Sequence, residues 1–416
     1  MRRYAVALAA ATVLVAAGCA TVIDGAASRV SLPTSAVVPG LLDPGNYPTK
    51  PHPPKKGQTV GNPVLGQYLD AVRMADFVTT SWDVDPSLTL ITLDMTRGFP
   101  GNDVGKKGLK STWFRPEAQD VMTLDGMVSA FSVAGQDGMK ARRSLGTIVL
   151  RFTDPASAAA AATTMRQAVA ILPEGDRDGR SVSVPGHPDT TGFAKLSPAF
   201  KSPVDGKVLS PDRYTIDAFT AHGSYVFYQY ATSDISYDDS TGLVAKVLDQ
   251  QGPLIDKFEP TDVTKMSDLP IDPSGLLART LTVPKGDEGP MSYKTWGPHA
   301  MLNFVDDRVR AGQQNRDAGV DVMVTAGAVV FRARDTAAAS NLVSAWFSDD
   351  KSSFTLTVPY LPGSHCKKDG KGDSGFSHDG VQCIFAADRY AVQVDSNTLK
   401  DAQQKAAAQY LMLTAK

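Results

Sequence analysis

Cysteine and histidine side chains near the C-terminus have the residue types for two different chemistries. His365, Cys366, His378 and Cys383 lie in a stretch rich in glycine, lysine and aspartate. Two sulfurs and two nitrogens suit zinc, although their spacing does not follow the paired zinc-finger pattern. The cysteines could instead pair as a disulfide, which persists in proteins that leave the cytoplasm. The choice between the two therefore depends on where the chain is sent.

The first residues of the chain predict that destination. Arg2 and Arg3 precede a short apolar stretch that ends in small residues at Gly18. This pattern is typical of a secretory signal, and the stretch is shorter than the roughly 20 residues of a membrane span. Because export favours oxidation, we predict a Cys366–Cys383 disulfide, with zinc as the alternative. Closing the loop between these cysteines would stabilise the fold by about 3 kcal/mol.

Cys19 follows the small residues directly, and it resembles the cysteine of a bacterial lipobox. The resemblance implies that residues 1–18 are removed and that Cys19 becomes the acylated first residue, carrying lipid chains such as palmitate. We therefore expect a mature protein anchored by lipid to the extracytoplasmic face of the cell membrane, in the cell envelope. The alternative is an ordinary signal peptide.

Three short patterns suggest enzymes but lack what the chemistry needs. Gly372–Gly375 reads Gly-Asp-Ser-Gly, like a protease nucleophile segment, but no β-barrel pattern precedes it. His222–Ser224 lacks the flanking glycines of a nucleophile elbow and is typical of a hairpin turn. Gly101–Lys107 lacks the spacing of a phosphate-binding loop, and we interpret it as an exposed loop. We therefore expect no enzymatic activity, no catalytic residue, no cofactor and no metal.

Composition narrows the class of partner. The 416 residues are 42% apolar and 21% charged, with a formal net charge of −2. These values are ordinary for a soluble globular protein of about two domains, and they argue against a nucleic-acid partner, which calls for a basic patch. Residues 19–63 are rich in proline, which predicts a stiff, extended tether. Within it, Gly40–Pro48 is more specific than a spacer requires, and we expect it to dock on the folded body.

The folded part contains an internal repeat. Ile148–Ala158 resembles Val329–Ala339, and each segment reads as a strand that ends at an aspartate and continues as a helix. Asp154 and Asp335 are predicted helix N-caps, since their carboxylates can accept the first free amides.

The repeat predicts an α+β fold of two related domains, each an antiparallel sheet with helices packed on one face. The first domain is expected over residues 64–258 and the second over 291–416. Residues 259–290 are rich in proline and acidic side chains, and they are predicted to form a linker.

Each predicted domain begins and ends with a helix. The opening helices are expected at Gln67–Thr80 and His299–Val309, and the closing helices at Thr241–Phe258 and Thr398–Leu413. The first domain carries an apparent insertion at Asp94–Lys140.

One predicted hairpin is unusually aromatic. Alternation along its second strand places Tyr225 and Phe227 on one face of the sheet and Tyr228 and Tyr230 on the other. We expect a helix or the other domain to cover the second face, and a ligand groove is the alternative.

Several of these features occur together in a family of two-domain cell-envelope lipoproteins from actinobacteria, especially mycobacteria and nocardiae, which this chain resembles. The resemblance rests on Cys19, Leu42–Tyr47, Arg73–Phe77, Val84–Pro86 and the two strand-to-helix joints. The family has no established activity, so the resemblance transfers no catalytic residue. Its likeness to small extracytoplasmic sensor domains is an analogy of fold alone.

These observations favour a non-enzymatic binding protein whose ligand is an envelope protein, a lipid or a glycan. A hydrolase acting on envelope polymers is one alternative, although it would need a convergent acid, base and nucleophile. A structural spacer is another. An apolar cleft between the domains would favour a lipid-like ligand, and a flat surface would favour a protein partner.

Overall fold

The computed structural model describes residues 37–52, 59–172, 175–283, 285, 294–305, 307–350, 353–369 and 380–415. The signal residues 1–18, Cys19, the Gly372–Gly375 segment and His378 lie outside these ranges. None of the helices in the described ranges combines the length and apolar character that a membrane crossing requires.

Capping side chains begin the helices of the first domain. Asn62 and Asp154 each cap a helix whose first residue is proline, a residue that suits this position because its missing amide needs no partner. The helices are α1 (Pro63–Met74), α2 (Ser81–Val84), α3 (Asp103–Trp113), α4 (Pro116–Gln119), α5 (Pro155–Val169) and α6 (Tyr237–Ile255). The strands are β1 (Leu90–Ile91), β2 (Arg97–Pro100), β3 (Met127–Gln136), β4 (Arg143–Phe152), β5 (Arg177–Val184), β6 (His187–Ser197), β7 (Phe200–Lys201), β8 (Val208–Ser210), β9 (Arg213–His222) and β10 (Tyr225–Ser233).

The second domain is smaller. Its helices are α7 (Arg308–Ala318), α8 (Thr336–Asp349) and α9 (Leu399–Thr414), and its strands are β11 (Lys294–Trp296), β12 (Val322–Thr325), β13 (Val329–Arg332), β14 (Phe354–Leu356), β15 (His365–Asp369), β16 (Gly380–Ala387) and β17 (Tyr390–Ser396). Short 3₁₀ segments occur at Pro39–Leu41, Ala75–Phe77, Leu93–Met95, Val263–Asp268, Leu277–Arg279 and Ala300–Phe304.

The two domains share one strand order. The first sheet runs β3-β4-β10-β9-β6-β5 and the second runs β12-β13-β17-β16-β15-β14, with antiparallel pairing throughout. In both domains, the second strand of this order, β4 or β13, is followed in the chain by the Asp-capped helix, α5 or α8. The strand that comes last in the chain, β10 or β17, is followed by the closing helix, α6 or α9. The predicted α+β fold with two related domains is confirmed.

Helices cover both faces of each sheet, whereas we expected a single helical face. Leu150 and Tyr228 pack in a core with α5, and Val149 and Phe227 pack on the opposite face with α6. The physical reason is that successive residues of the central strands are apolar, so both faces must be shielded from water. Helices therefore lie on both sides of the aromatic hairpin, and Tyr228 and Tyr230 also line a pocket on its second face.

The cores form a stack through the molecule. One core lies between the first sheet and α5, and another lies between the second sheet and α9. The core between them contains the α6 face of the first sheet together with the α8 face of the second. A continuous apolar core across the domain boundary holds the two sheets as one body.

The repeat begins earlier than the sequence suggests. Asp94–Lys140 contains β2, α3 and β3, which match β11, α7 and β12 in order and pairing, so it is not an insertion. Helix α1 is the additional element, and the predicted match between Gln67–Thr80 and His299–Val309 is wrong. Gly101–Lys107, predicted to be a loop, begins α3 with Asn102 as its cap. Glycines inside α3 disguise it, because they lower helix propensity.

The predicted caps and cysteine pair have defined places in the fold. Asp154 accepts the amide of Ser157, and Asp335 accepts the amide of Ala338, at 2.9 and 2.7 Å. Cys366 and Cys383 lie directly opposite each other on β15 and β16 and are joined by a disulfide.

The described parts of the predicted tether and linker pack on the domains. Leu42 is buried in the core under α9, and the hydroxyl of Tyr47 donates to Asp401 at 2.7 Å. Thr59 bridges to Pro270, where the two segments meet. The expected docking of Gly40–Pro48 is thus present.

A substitution at Gly66 tests whether the linker packs closely against α1. A Cβ at this position would overlap the carbonyl oxygen of Met266, in the 3₁₀ segment that follows the first domain. We expect Gly66→Ala to lower the free energy of unfolding by about 1–3 kcal/mol through overpacking.

Gly242→Ala, in α6, is the matched control because open space surrounds that position. It should stabilise the protein by about 0.5–1 kcal/mol, since alanine is the better helix former. Urea denaturation of both variants measures the difference. Equal or greater stability of Gly66→Ala would contradict the close contact.

Candidate functional site

A groove of about 860 Å³ lies where the two domains meet. We call it the interdomain groove. It is formed by α1, the segment after α6, the linker and the first strands of the second domain. Its lining residues are Leu69, Val72, Arg73, Asp76, Phe77, Lys257, Phe258, Glu259, Pro260, Thr261, Leu269, Pro270, Ile271, Pro273, Ser274, Thr295, Trp296, Gly297, Asp321, Val322 and Arg332.

Aromatic and aliphatic side chains form part of the walls of the groove, which also has three cationic and three acidic lining residues. The rings of Phe77 and Phe258 lie 5.4 Å apart in the first domain. Trp296 packs against Phe304 in the second domain, with ring centroids 4.5 Å apart. Ile271, from the linker, remains 37% exposed at the rim. Such walls favour a ligand with a substantial apolar part.

A buried carboxylate holds the first-domain wall in place. Asp70 of α1 is fully buried and accepts from Arg151 at 2.7 Å and from the Ser129 hydroxyl at 3.2 Å. Its other oxygen accepts the amide of Thr261 at 3.2 Å and one N–H of Arg73 at 3.4 Å. These bonds join α1 to two strands and to the chain after α6. Since a buried charge must be paired, they fix the groove wall.

Asp76 connects that wall to the second domain. Its carboxylate accepts the amides of His299 and Ala300 at 2.8 and 2.7 Å, and so caps the 3₁₀ segment Ala300–Phe304 from the other domain. Any side chain at Gly297 would overlap the same carboxylate. The cap therefore requires a close approach of the two backbones.

His299 adds a titratable contact across the boundary. Its Nε2 lies 2.9 Å from the carboxylate of Asp83, which also accepts the amide and hydroxyl of Thr80. Burial lowers the pKa of His299, but the hydrogen bond and the charges of Asp83 and Asp76 outweigh burial, so that the pKa lies above its ordinary value. The contact with Asp83 therefore stabilises the charged form of His299 relative to a free histidine.

The polar groups of the groove are partly paired. Arg332 binds Asp321 through two bonds of 2.8 and 2.9 Å. The hydroxyl of Thr295 and the indole N–H of Trp296 are buried without a hydrogen-bond partner among the described residues. Unpaired polar atoms in a buried wall are costly.

The predicted helix caps and cysteine pair lie elsewhere. Asp154, Asp335, Cys366 and Cys383 belong to the two sheets and their helices, and none of them lines the interdomain groove. His299, the first residue of the predicted helix His299–Val309, is part of the domain contact. Arg73, Asp76 and Phe77 line the groove and belong to the Arg73–Phe77 segment that carries the family resemblance. The other groove residues cannot be recognised from the sequence, because they are distant in the chain and carry no shared motif.

Two family models match the chain. The N-terminal domain model of the family of unknown function DUF7373 matches residues 57–271, and its C-terminal domain model matches residues 276–416. The chain therefore belongs to this two-domain family, and the two-domain part of the sequence resemblance is confirmed. Actinobacterial origin and lipid attachment remain predictions.

The chain has little similarity to individual proteins. No curated protein matches the chain. The extracellular domain of PknH from Mycobacterium tuberculosis is 11% identical, with a TM-score of 0.29, and the match covers 42% of this chain and 93% of that domain. At this level of similarity the match supports no inference about function.

The His299 contact predicts a pH-dependent domain interaction. Because the folded-state pKa of His299 is raised, its stabilising effect should be complete below the unfolded value of about 6.5 and lost as the pH rises through the folded pKa. The difference in unfolding free energy between wild type and His299→Gln should therefore shrink from pH 5.5 to pH 9. Urea denaturation across this range measures it.

His187→Gln is the control, because the partner of His187, Asp249, is largely exposed and surface pairs contribute little. A difference for His299→Gln that stays constant with pH would contradict the assigned charge.

Proposed function

We propose that this member of the DUF7373 family is an exported, lipid-anchored and non-enzymatic binding protein of the cell envelope. Its interdomain groove takes the apolar part of a lipid-like ligand. The observation that carries the proposal is the apolar wall formed where the domains join, around Phe77, Phe258 and Trp296.

The size and rigidity of the groove support this ligand class. Its volume of about 860 Å³ is within the range of about 300–1,000 Å³ that is typical of small-molecule sites. Each methylene group that enters would contribute about 0.8 kcal/mol. Because Asp70 and Asp76 hold both walls, little ordering of the protein would oppose binding.

The composition of the groove favours binding over hydrolysis. Its hydroxyl groups include Thr261, Thr295 and Ser274, and no histidine is present among the described residues that line it. Arg73 is directed to Asp70, Thr261 and the carbonyl of Glu259, so its charge stabilises the wall. A hydrolase of the serine type would need a nucleophile activated by a neighbouring base.

The predicted export signal supports the location. A protein acylated at Cys19 would work beside the membrane, where lipid-like ligands are concentrated. Membrane attachment and ligand binding are separate claims, and each has its own test.

Ile271→Trp tests ligand binding. The larger side chain at the rim should occupy the groove, and we expect it to weaken binding of cis-parinarate at least about tenfold, the loss of a few buried methylene contacts. Fluorescence titration of purified protein measures binding. Mass spectrometry of an organic extract should also find a lipid carried by the wild type.

Val263→Trp is the matched control, since Val263 is an exposed apolar residue outside the groove, 44% exposed against 37% for Ile271. It should bind the probe like the wild type. The proposal fails if all three proteins bind the probe equally, or if none of them binds it.

Cys19→Ala tests the anchor. In detergent phase partitioning of protein made in an exporting bacterial host, the wild type should enter the detergent phase, because acyl chains partition into it. The variant should stay in the aqueous phase. Equal partitioning would refute lipid attachment without affecting the groove proposal.

A further inference from the structure

A second pocket, of about 290 Å³, lies within the first domain and shares no residue with the interdomain groove. We call it the sheet-edge pocket. It is bounded by the C-terminal end of β6, by the N-terminal part of β9 and by β10. The α3–α4 turn and the C-terminal end of α5 close its other sides. Its lining includes Trp113, Arg115, Ile171, Lys195, Asp217 and Tyr230.

The floor of the sheet-edge pocket contains a buried ion pair. Lys195 lies opposite Thr215 in the β6–β9 ladder, which places Asp217 diagonally next to it on the same face. The ammonium group of Lys195 contacts the Asp217 carboxylate at 2.6 Å, and the hydroxyl of Tyr228 donates to the other carboxylate oxygen at 2.6 Å. Asp217 is only 1% exposed. Lys195 has further N–H donors that this single contact does not use.

The fold does not require this ion pair. In the second domain, the matching strand register places Gln382 where the first domain has Asp217, and Gln393 where it has Tyr228. The same sheet forms there without the pair. Since a buried ion pair is often no more stabilising than an apolar replacement, its presence in one domain points to a local role.

Aromatic side chains form the wall above the ion pair. Tyr230 lies opposite Gly146 in the β4–β10 ladder. Trp113, at the end of α3, lies over Gly146, where an added Cβ would be 2.5 Å from its ring. Its ring is also in edge contact with Tyr228, with centroids 6.0 Å apart. Because Gly146 has no side chain, the indole of Trp113 lies directly on the sheet surface beside Tyr230.

The mouth of the pocket carries both donors and acceptors. Arg115 approaches Asp176 at 3.6 Å, and the hydroxyl of Ser197 donates to Asp176 at 2.9 Å. With Lys195 and Asp217 below them, the lining has two cations and two carboxylates. Their formal charges cancel, so an added ionic ligand would leave a net charge in a partly buried space.

We infer that the sheet-edge pocket binds a neutral sugar ring. A pyranose has an apolar face for Trp113 and Tyr230 and a rim of hydroxyl groups that both donate and accept, which matches a charge-balanced lining. The volume admits one ring of this kind. The ring could be a free monosaccharide or the terminal unit of a glycan, and both present the same chemistry.

Titration with methyl α-pyranosides of glucose, galactose and mannose tests the inference. The indole N–H signal of Trp113, assigned with Trp113→Phe, is followed by ¹H–¹⁵N NMR on the folded chain. We expect a saturable shift with at least one glycoside and a dissociation constant on the order of millimolar, as for other small ligands with few atoms. Linear trisaccharides of the same hexoses distinguish the sources, since a glycan-end site should bind them at least as well.

Ile171→Trp should weaken glycoside binding at least about tenfold by filling the pocket, because Ile171 lines it and is 38% exposed. Ile235→Trp is the control at an exposed isoleucine outside the pocket. Arg115→Gln, at an exposed position, should weaken binding several-fold without loss of fold. Ile271→Trp in the interdomain groove should leave glycoside binding unchanged, which separates the two proposals.

Several results would overturn the inference. They are no shift with any glycoside, tighter binding of glucuronate than of methyl glucoside, or equal binding by wild type and Ile171→Trp. Tighter glucuronate binding would assign the pocket to anions instead.

Discussion

The carboxylate of Asp70 is the constraint on which the domain arrangement depends. It is fully buried, and its bonds to Arg151, Ser129 and Thr261 join α1 to the first sheet and to the chain that leaves α6. Helix α1 is thereby fixed as a rigid support. Asp76 follows Asp70 by about two helical turns, and its carboxylate caps a segment of the second domain. Displacing Asp70 would move both walls of the interdomain groove together.

Local patterns explain what could be predicted from the sequence. Asp154 and Asp335 mark helix starts because an N-cap acts on amides only three residues away, and alternation of apolar residues identifies the paired strands. The α+β class and the two related domains follow from these signals. Helix α3 was missed because Gly105 and Gly108 weaken its local pattern, while Gly105 is needed for the close approach to Pro100.

The groove could not be predicted in the same way, because its walls come from segments that are far apart in the chain. One signal was available at Asp70. A carboxylate on the same face of α1 as Gly66 and Met74 stands among buried residues, so it demands a cationic partner from elsewhere. The sequence alone does not identify Arg151 as that partner. The ion pair of Lys195 and Asp217 cannot be predicted from the sequence either, because the two residues meet only through the register of β6 and β9.

The stacking of the two domains determines what must cover the two outer faces of the molecule. Val149 and Val330 occupy equivalent places in the two sheets, yet the first faces the shared core and the second faces α9. The domains therefore meet through unlike surfaces, in the head-to-tail manner that can extend without limit unless both ends are blocked. At the far end of the second domain, α9 and the docked segment with Leu42 and Tyr47 shield the free face. At the other end, α3, α4 and α5 do the same. The chain thus resembles a two-unit array closed by its own terminal caps, as in solenoid proteins.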